Sequence, residues 1–181
     1  MDVEHGSAGR AGASEEWGPV RSRSVSWYDP QVLVAGAVSR SGMEAMRAMR
    51  DGELPPPPVG RLVPGDLVHL EEGSVGFRCA LDESMCNPMG LVAGGILCTM
   101  LDAALTCAVH TTLPQGVTHT SIELKVNFLR PVPLDSGPLD AVGTVIKPGR
   151  RIAFAEGRVT DRSGRTVATA STSILLTTAP R

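Results

Sequence analysis

The sequence predicts an α+β domain in which a curved antiparallel β-sheet wraps around one long central α-helix. Three observations carry this. Residues 93–113 place apolar side chains at three- and four-residue steps, as a helix with one buried face requires. Four strand-like segments follow, at residues 117–129, 139–147, 152–161 and 166–177. The turns between them are marked by Asp135-Ser136-Gly137, Pro148-Gly149 and Arg162-Ser163-Gly164. A sheet and a helix that each carry one apolar face bury both most simply when the sheet closes around the helix.

Taken in order, residues 1–30 are rich in Gly, Ala, Ser and charge without periodicity, and are expected to form a disordered tail. Residues 31–58 read as an extension. Within it Ser41 can cap a short amphipathic helix bracketed by Met43, Met46 and either Arg47 or Met49, which Gly52 and the run Pro55-Pro56-Pro57-Pro58 terminate. The main domain is expected over residues 59–178. It begins with a hairpin, residues 67–71 and 75–81, around the turn Glu72-Gly73.

Composition narrows the function classes. The chain has 181 residues, 42% of them hydrophobic, enough for one domain with a core. A formal charge of -2 gives no sign of the basic surface that nucleic acid or an anionic membrane would require. Cysteines 79, 86, 98 and 107 form no C-x-x-C pair and read as free thiols in a reducing compartment. The apolar run 32–38 is too short for a signal peptide, and no run reaches the roughly 20 residues that span a bilayer. A cytoplasmic protein that binds neither membrane nor nucleic acid is expected.

Candidate chemistry concentrates on the helix. Its apolar stripe is Ile96, Leu97, Met100, Leu101, Ala104, Leu105, Ala108 and Val109, and its other face is Gly95, Thr99, Asp102 and Thr106. Gly94-Gly95 at the helix start would leave unpaired N–H groups open to a ligand oxygen, the geometry of an oxyanion hole. Close packing against another backbone would explain the same glycines. Asp102 is the one charge on an otherwise uncharged helix, and a carboxylate there is costly unless paired or used. Gly94 and Asp102 are eight residues apart, roughly 12 Å along the axis, so one helix cannot easily aim both at one carbonyl. A two-fold partner running the opposite way could supply its Asp102 to the first chain's Gly94, which points to a homodimer with a composite site.

The run Asn87-Pro88-Met89-Gly90-Leu91-Val92-Ala93-Gly94-Gly95, the later Asp102, Thr120-Ser121-Ile122-Glu123-Leu124 and Val126-Asn127-Phe128-Leu129-Arg130-Pro131 resemble the PaaI-like branch of the hotdog-fold acyl-CoA thioesterases. The resemblance extends over residues 42–177 and includes Gly149-Arg150-Arg151 and Asp161-Arg162-Ser163-Gly164. It implies a hotdog fold, a homodimer that can pair further into a tetramer, and hydrolysis of an acyl-CoA or other thioester without cofactor or metal. It also implies roles. Gly94 and Asn87 would polarise the thioester carbonyl, Asp102 would act from the other subunit as base or nucleophile, and Ser121 would help position water. Asn87 could otherwise simply start a turn with Pro88, and Ser121 could be an ordinary strand hydroxyl.

The family normally has histidine before the two glycines, where this chain has Ala93. Neither His110, more than four turns further along the helix, nor His119, at a strand start, obviously replaces it. Gly95, Ala93 and Thr99 are the remaining candidates for substrate contact. Arg150 and Arg151 could meet coenzyme A phosphates or be a solvated turn. The vacancy at Ala93 also keeps open a repurposed enzyme performing cyclisation, dehydration or isomerisation, and a non-catalytic acyl-CoA binder.

Overall fold

The computed structural model describes residues 17–178. Of the expected tail, residues 1–16 lie outside the described residues. Residues 17–29 carry neither helix nor strand. Helix α1, Pro30–Val38, then starts on an Asp29 cap whose Oδ1 accepts the Gln31 N–H at 2.9 Å. The sequence reading weighed this apolar run only as a leader and missed the helix. None of its residues is buried, so amphipathic periodicity could not reveal it.

Helix α2, Gly42–Arg50, is the expected capped helix. Ser41 and Glu44 form a reciprocal capping box, and Ala45, Met46 and Ala48 are buried. A single turn, α3 (Val59–Leu62), follows the prolines where no helix was expected; Pro58 at its N-cap tolerates a helix start, though not an interior.

The hairpin strands are β1 (Asp66–Glu71) and β2 (Ser74–Cys79), and the turn between them puts Gly73 at φ 78°. The central helix α4 spans Gly94–His110. It stops three residues short of the expected end because Pro114 disfavours helical backbone at the residue before it, and Thr111 N–H closes the last turn onto Cys107 O. Strands β3 (Val117–Phe128), β4 (Leu139–Lys147), β5 (Ile152–Thr160) and β6 (Thr166–Thr178) fall where the alternation predicts them.

All six strands pair antiparallel in the order β1-β2-β4-β5-β6-β3. The sheet curls around α4, as expected, and packs on the helix from β2 through β3. Seven α4 residues are buried, with Leu101 and Leu105 at 0% exposure, and each such leucine contributes about 2 kcal/mol. Two facing glycines let the layers meet. Gly143 on β4 pairs with Gly157 on β5, and a Cβ at Gly143 would lie 2.5 Å from the Ala104 carbonyl.

The other side of α4 is less enclosed, and Asp102 on its flank meets β3. Gly95 is exposed, and Thr99, Asp102 and Thr106 are half-buried. Strand β3 is a sheet edge twelve residues long, with Ile122 and Phe128 more than half exposed. All four cysteines are free thiols. Among the described residues no helix is long and apolar enough to cross a membrane.

Candidate active site

The loop before α4 is held rigidly by its own backbone and by Asn87. The Asn87 Oδ1 accepts N–H bonds from Met89 (2.9 Å) and Leu91 (3.2 Å), while Asn87 N–H donates to Leu91 O at 2.7 Å. Gly90 closes the turn at φ 72°, a conformation that favours glycine. Because both partners of Oδ1 are donors, the amide orientation is fixed and Nδ2 remains free to donate outward. Val92 and Ala93 are tied to Val132 O and Met85 O, at 2.9 and 2.8 Å.

Ala93 is the N-cap of α4 and offers no side-chain cap. Among the described residues no acceptor meets the N–H groups of Gly94 or Gly95. A cavity of about 490 Å³ lies at this helix start, lined by Asn87, Gly94, Leu97, Phe128 and Arg130 among others. Asn87 and Gly94 therefore share one opening. Gly94 also has a packing role, since a Cβ there would sit 3.0 Å from the Phe128 ring. Gly95 faces open space instead.

The second pair of candidates meets in the middle of the helix. Ser121 on β3 donates its hydroxyl to Asp102 Oδ1 at 2.8 Å. A β-bulge makes this possible. Ser121 pairs with Ile174 and Glu123 with Ser173, so Ile122 is the extra residue. The bulge switches parity, so that Val117, His119 and Ser121 before it and Leu124 and Val126 after it are all half-buried. The carboxylate keeps Oδ2 free of any partner among the described residues.

The same face of β3 brings in a pair of histidines that the sequence reading set aside. His119 stacks on His110, with ring centroids 4.9 Å apart. The signal was the two-residue spacing of His119 and Ser121, which puts both on the Asp102 side of the strand. Burial, reinforced by His119, pushes the His110 imidazole down to about 4. Burial also lowers His119, with the Asp102 charge opposing. His110 Nδ1 is buried without a hydrogen-bond partner among the described residues.

The His110 shift carries a pH dependence with a definite sign. An unfolded chain takes up a proton below about pH 6.5, whereas folded His110 resists until about pH 4. Its contribution to stability is complete above pH 6.5 and is lost as pH falls from there toward 4. Between pH 7.5 and 4.5 the expected loss is about 2–3 kcal/mol. Denaturant unfolding of the wild type and His110→Gln at both pH values measures it: the variant should lose correspondingly less, and equal losses would refute the assignment.

The remaining candidates are dispersed. Thr99 bonds back to Gly95 O at 3.0 Å and does not line the Asn87–Gly94 cavity. Arg150 and Arg151 are exposed on the β4–β5 turn, and Arg150 borders a hollow with Thr112, Leu113 and Pro114 at the far end of α4. One chain thus brings together Asn87 with Gly94, and Asp102 with Ser121, but leaves the two pairs eight helical residues apart.

Comparison with known proteins adds an independent line. Residues 89–168 match the family model described as the thioesterase superfamily. A phenylacetic acid degradation-related protein of Ralstonia eutropha JMP134 aligns at 29% identity and TM-score 0.66, covering 71% of this chain and 97% of its own. The E. coli PaaI protein from the phenylacetic acid degradation operon shares the fold at 19% identity and TM-score 0.67, covering 78% and 97%. A Streptococcus mutans UA159 protein bound to acetyl-CoA aligns at 23% identity and TM-score 0.58, covering 65% and 91%. No curated protein matches.

Proposed function

We propose that this chain is a PaaI-like hotdog thioesterase, in keeping with the match of residues 89–168 to the thioesterase superfamily, and that it hydrolyses an acyl-CoA thioester to the free acid and CoA at a site shared by two copies. The observation that supports this reading is the separation of the two pairs. Free donors at Asn87 and Gly94 occupy one opening, and the Asp102–Ser121 pair lies further along the same helix, where it meets the β3 edge of the sheet. The long free edge of β3, with its unpaired backbone groups and exposed Ile122 and Phe128, is the surface a second copy would pair with.

In this mechanism the thioester carbonyl oxygen accepts from Asn87 Nδ2 and Gly94 N–H of one protomer. The partner's Asp102 takes a proton from water as the water oxygen attacks the carbonyl carbon, and Ser121 orients that carboxylate. The tetrahedral oxyanion sits on the two donors. Its collapse breaks the C–S bond, and the departing thiolate takes up the proton. The acetyl-CoA held by the Streptococcus mutans relative supports CoA as the thiol. Arg150 and Arg151, on an exposed turn, are proposed to meet its phosphates, with Gly95 and Ala93 bordering the thioester.

Release of free thiol from a panel of acyl-CoAs tests the proposal: turnover of at least one member is expected, and turnover of none would sink it. The bare N-cap at Ala93 favours a second reading, a repurposed enzyme acting on a related acyl ligand. The same assay separates the two. Under the hydrolase reading Ala93→His changes an existing activity modestly; if it creates strong hydrolysis from almost none, hydrolysis was not the native task.

A further inference from the structure

A second cavity, of about 470 Å³, lies on the other flank of α4 from the Asn87–Gly94 opening. Its walls come from the extension as well as from the sheet: α2 gives Met46 and Met49, α3 and its flanks give Gly60 and Val63, and β1 and β2 give Leu67 and Phe77. The floor is apolar and closed, with Met46, Cys79 and Met100 each at most 4% exposed. Its charged lining residues, Arg50, Arg61 and Asp66, are all exposed and so belong to the mouth. The volume is within the range of small-molecule sites, roughly 300–1,000 Å³.

The cavity reaches the proposed chemistry through the helix. Ala103 and Thr99 line it, the first adjacent to Asp102 in sequence and the second three residues before it. Along the axis both residues lie within about one helical turn, roughly 5.4 Å, of Asp102, and Thr99, three residues away, is its neighbour on the helix surface. Two of its polar lining side chains are already engaged: Thr99 donates to Gly95 O, and Arg50 pairs with Asp51 at 2.8 Å. Cys107 in the wall stays a neutral thiol, pushed up to about 12 by burial and then by the Asp102 charge.

We infer that this cavity receives the acyl chain of the thioester, an uncharged apolar group, and that residues 46–63 form the wall that limits its length. This rests on the hydrolase reading above. An apolar chain that leaves water for this floor gains about 0.8 kcal/mol per methylene, so the cavity converts chain length into selectivity.

The test fills the cavity from the wall. Gly60 accepts a side chain, because a Cβ there would meet only Pro57, at 4.0 Å, and its backbone needs no positive φ. Gly60→Phe and Val63→Trp are compared with the wild type on acetyl-, butyryl-, hexanoyl- and octanoyl-CoA, with folding checked by circular dichroism. Both should lower kcat/KM for octanoyl-CoA by about tenfold or more, the loss of burying two or more methylenes, and leave acetyl-CoA within twofold. A uniform fall across the panel, or no change in either variant, would overturn the assignment. If the wild type hydrolyses nothing, the hydrolase reading fails separately and calorimetry decides the cavity. Octanoyl-CoA should then bind the wild type about tenfold or more tightly than CoA does and lose that increment in Gly60→Phe; equal affinities for octanoyl-CoA and CoA would refute it.

Discussion

Asp102→Asn lowers kcat for thioester hydrolysis by about a thousandfold or more, and leaves KM within a few-fold, if the carboxylate is the base. The change is nearly isosteric. Ser121 can still donate to Oδ1 of the amide across the same 2.8 Å, so the fold and the β3 contact persist while the proton acceptor is gone. A thousandfold corresponds to about 4 kcal/mol of barrier, which a positioned base supplies and a merely structural aspartate does not. The same variant reports the site's composition. Asn87→Asp keeps the Oδ1 that holds the Met89 and Leu91 N–H groups but replaces the outward donor with an acceptor, so it too should be inactive. When the two inactive proteins are unfolded together and refolded, each mixed dimer has one site with both lesions and one with none. With random pairing, roughly a quarter of wild-type activity should return. If Asp102 and Asn87 served one chain's own site, every site would carry a lesion and mixing would restore nothing.

The strand positions along the chain, the Ser41-capped α2 and the position of α4 were legible because each depends on local pattern: period 2, a cap residue, period 3.6. The bulge at Ile122 was not legible. Read with unbroken alternation, Ser121 and Leu124 point to opposite faces, and only the pairing with β6 shows that they share one. His119 does lie near the strand start, and its stacking on His110 beside Asp102 depends on how β3 packs on α4, which no local pattern encodes. The second cavity was hidden for a different reason. Its walls come from four stretches of chain, and one of them holds α3, a helical turn between the prolines and the hairpin where no helix was expected. Within the candidate site, the sequence could place Asn87, Gly94 and Asp102 on one loop and helix; it could not show that Asn87 spends its oxygen on the loop and keeps its amide free.

Gly143→Val should destabilise the domain by roughly 3 kcal/mol or more, the upper end for overpacking, and reduce soluble yield accordingly. The usual reading of a mid-strand glycine is a weak spot where valine would improve β-propensity. Here the sign reverses. A Cβ at Gly143 would lie 2.5 Å from Ala104 C and O and 2.7 Å from Leu105 N, so the obstacle is helix backbone, which cannot rotate away as a side chain can. Moving α4 outward would open gaps around Leu101 and Leu105, both at 0% exposure, and each buried leucine contributes about 2 kcal/mol. The facing Gly157, whose Cβ would come 2.7 Å from Val142 O, gives the strand no room to yield either. Gly60→Ala is the control, since its Cβ meets only an ordinary 4.0 Å contact and should shift stability by no more than about 0.5 kcal/mol. Urea denaturation of the three proteins measures both. The pair Gly143 and Gly157 was present in the sequence as one glycine near the centre of each of two adjacent strands, a spacing that signals close backbone approach. A small effect in Gly143→Val would mean that the sheet can retreat from α4. The helix, and with it the relation of Asp102 to Ser121 on β3, would then be set by something other than this contact.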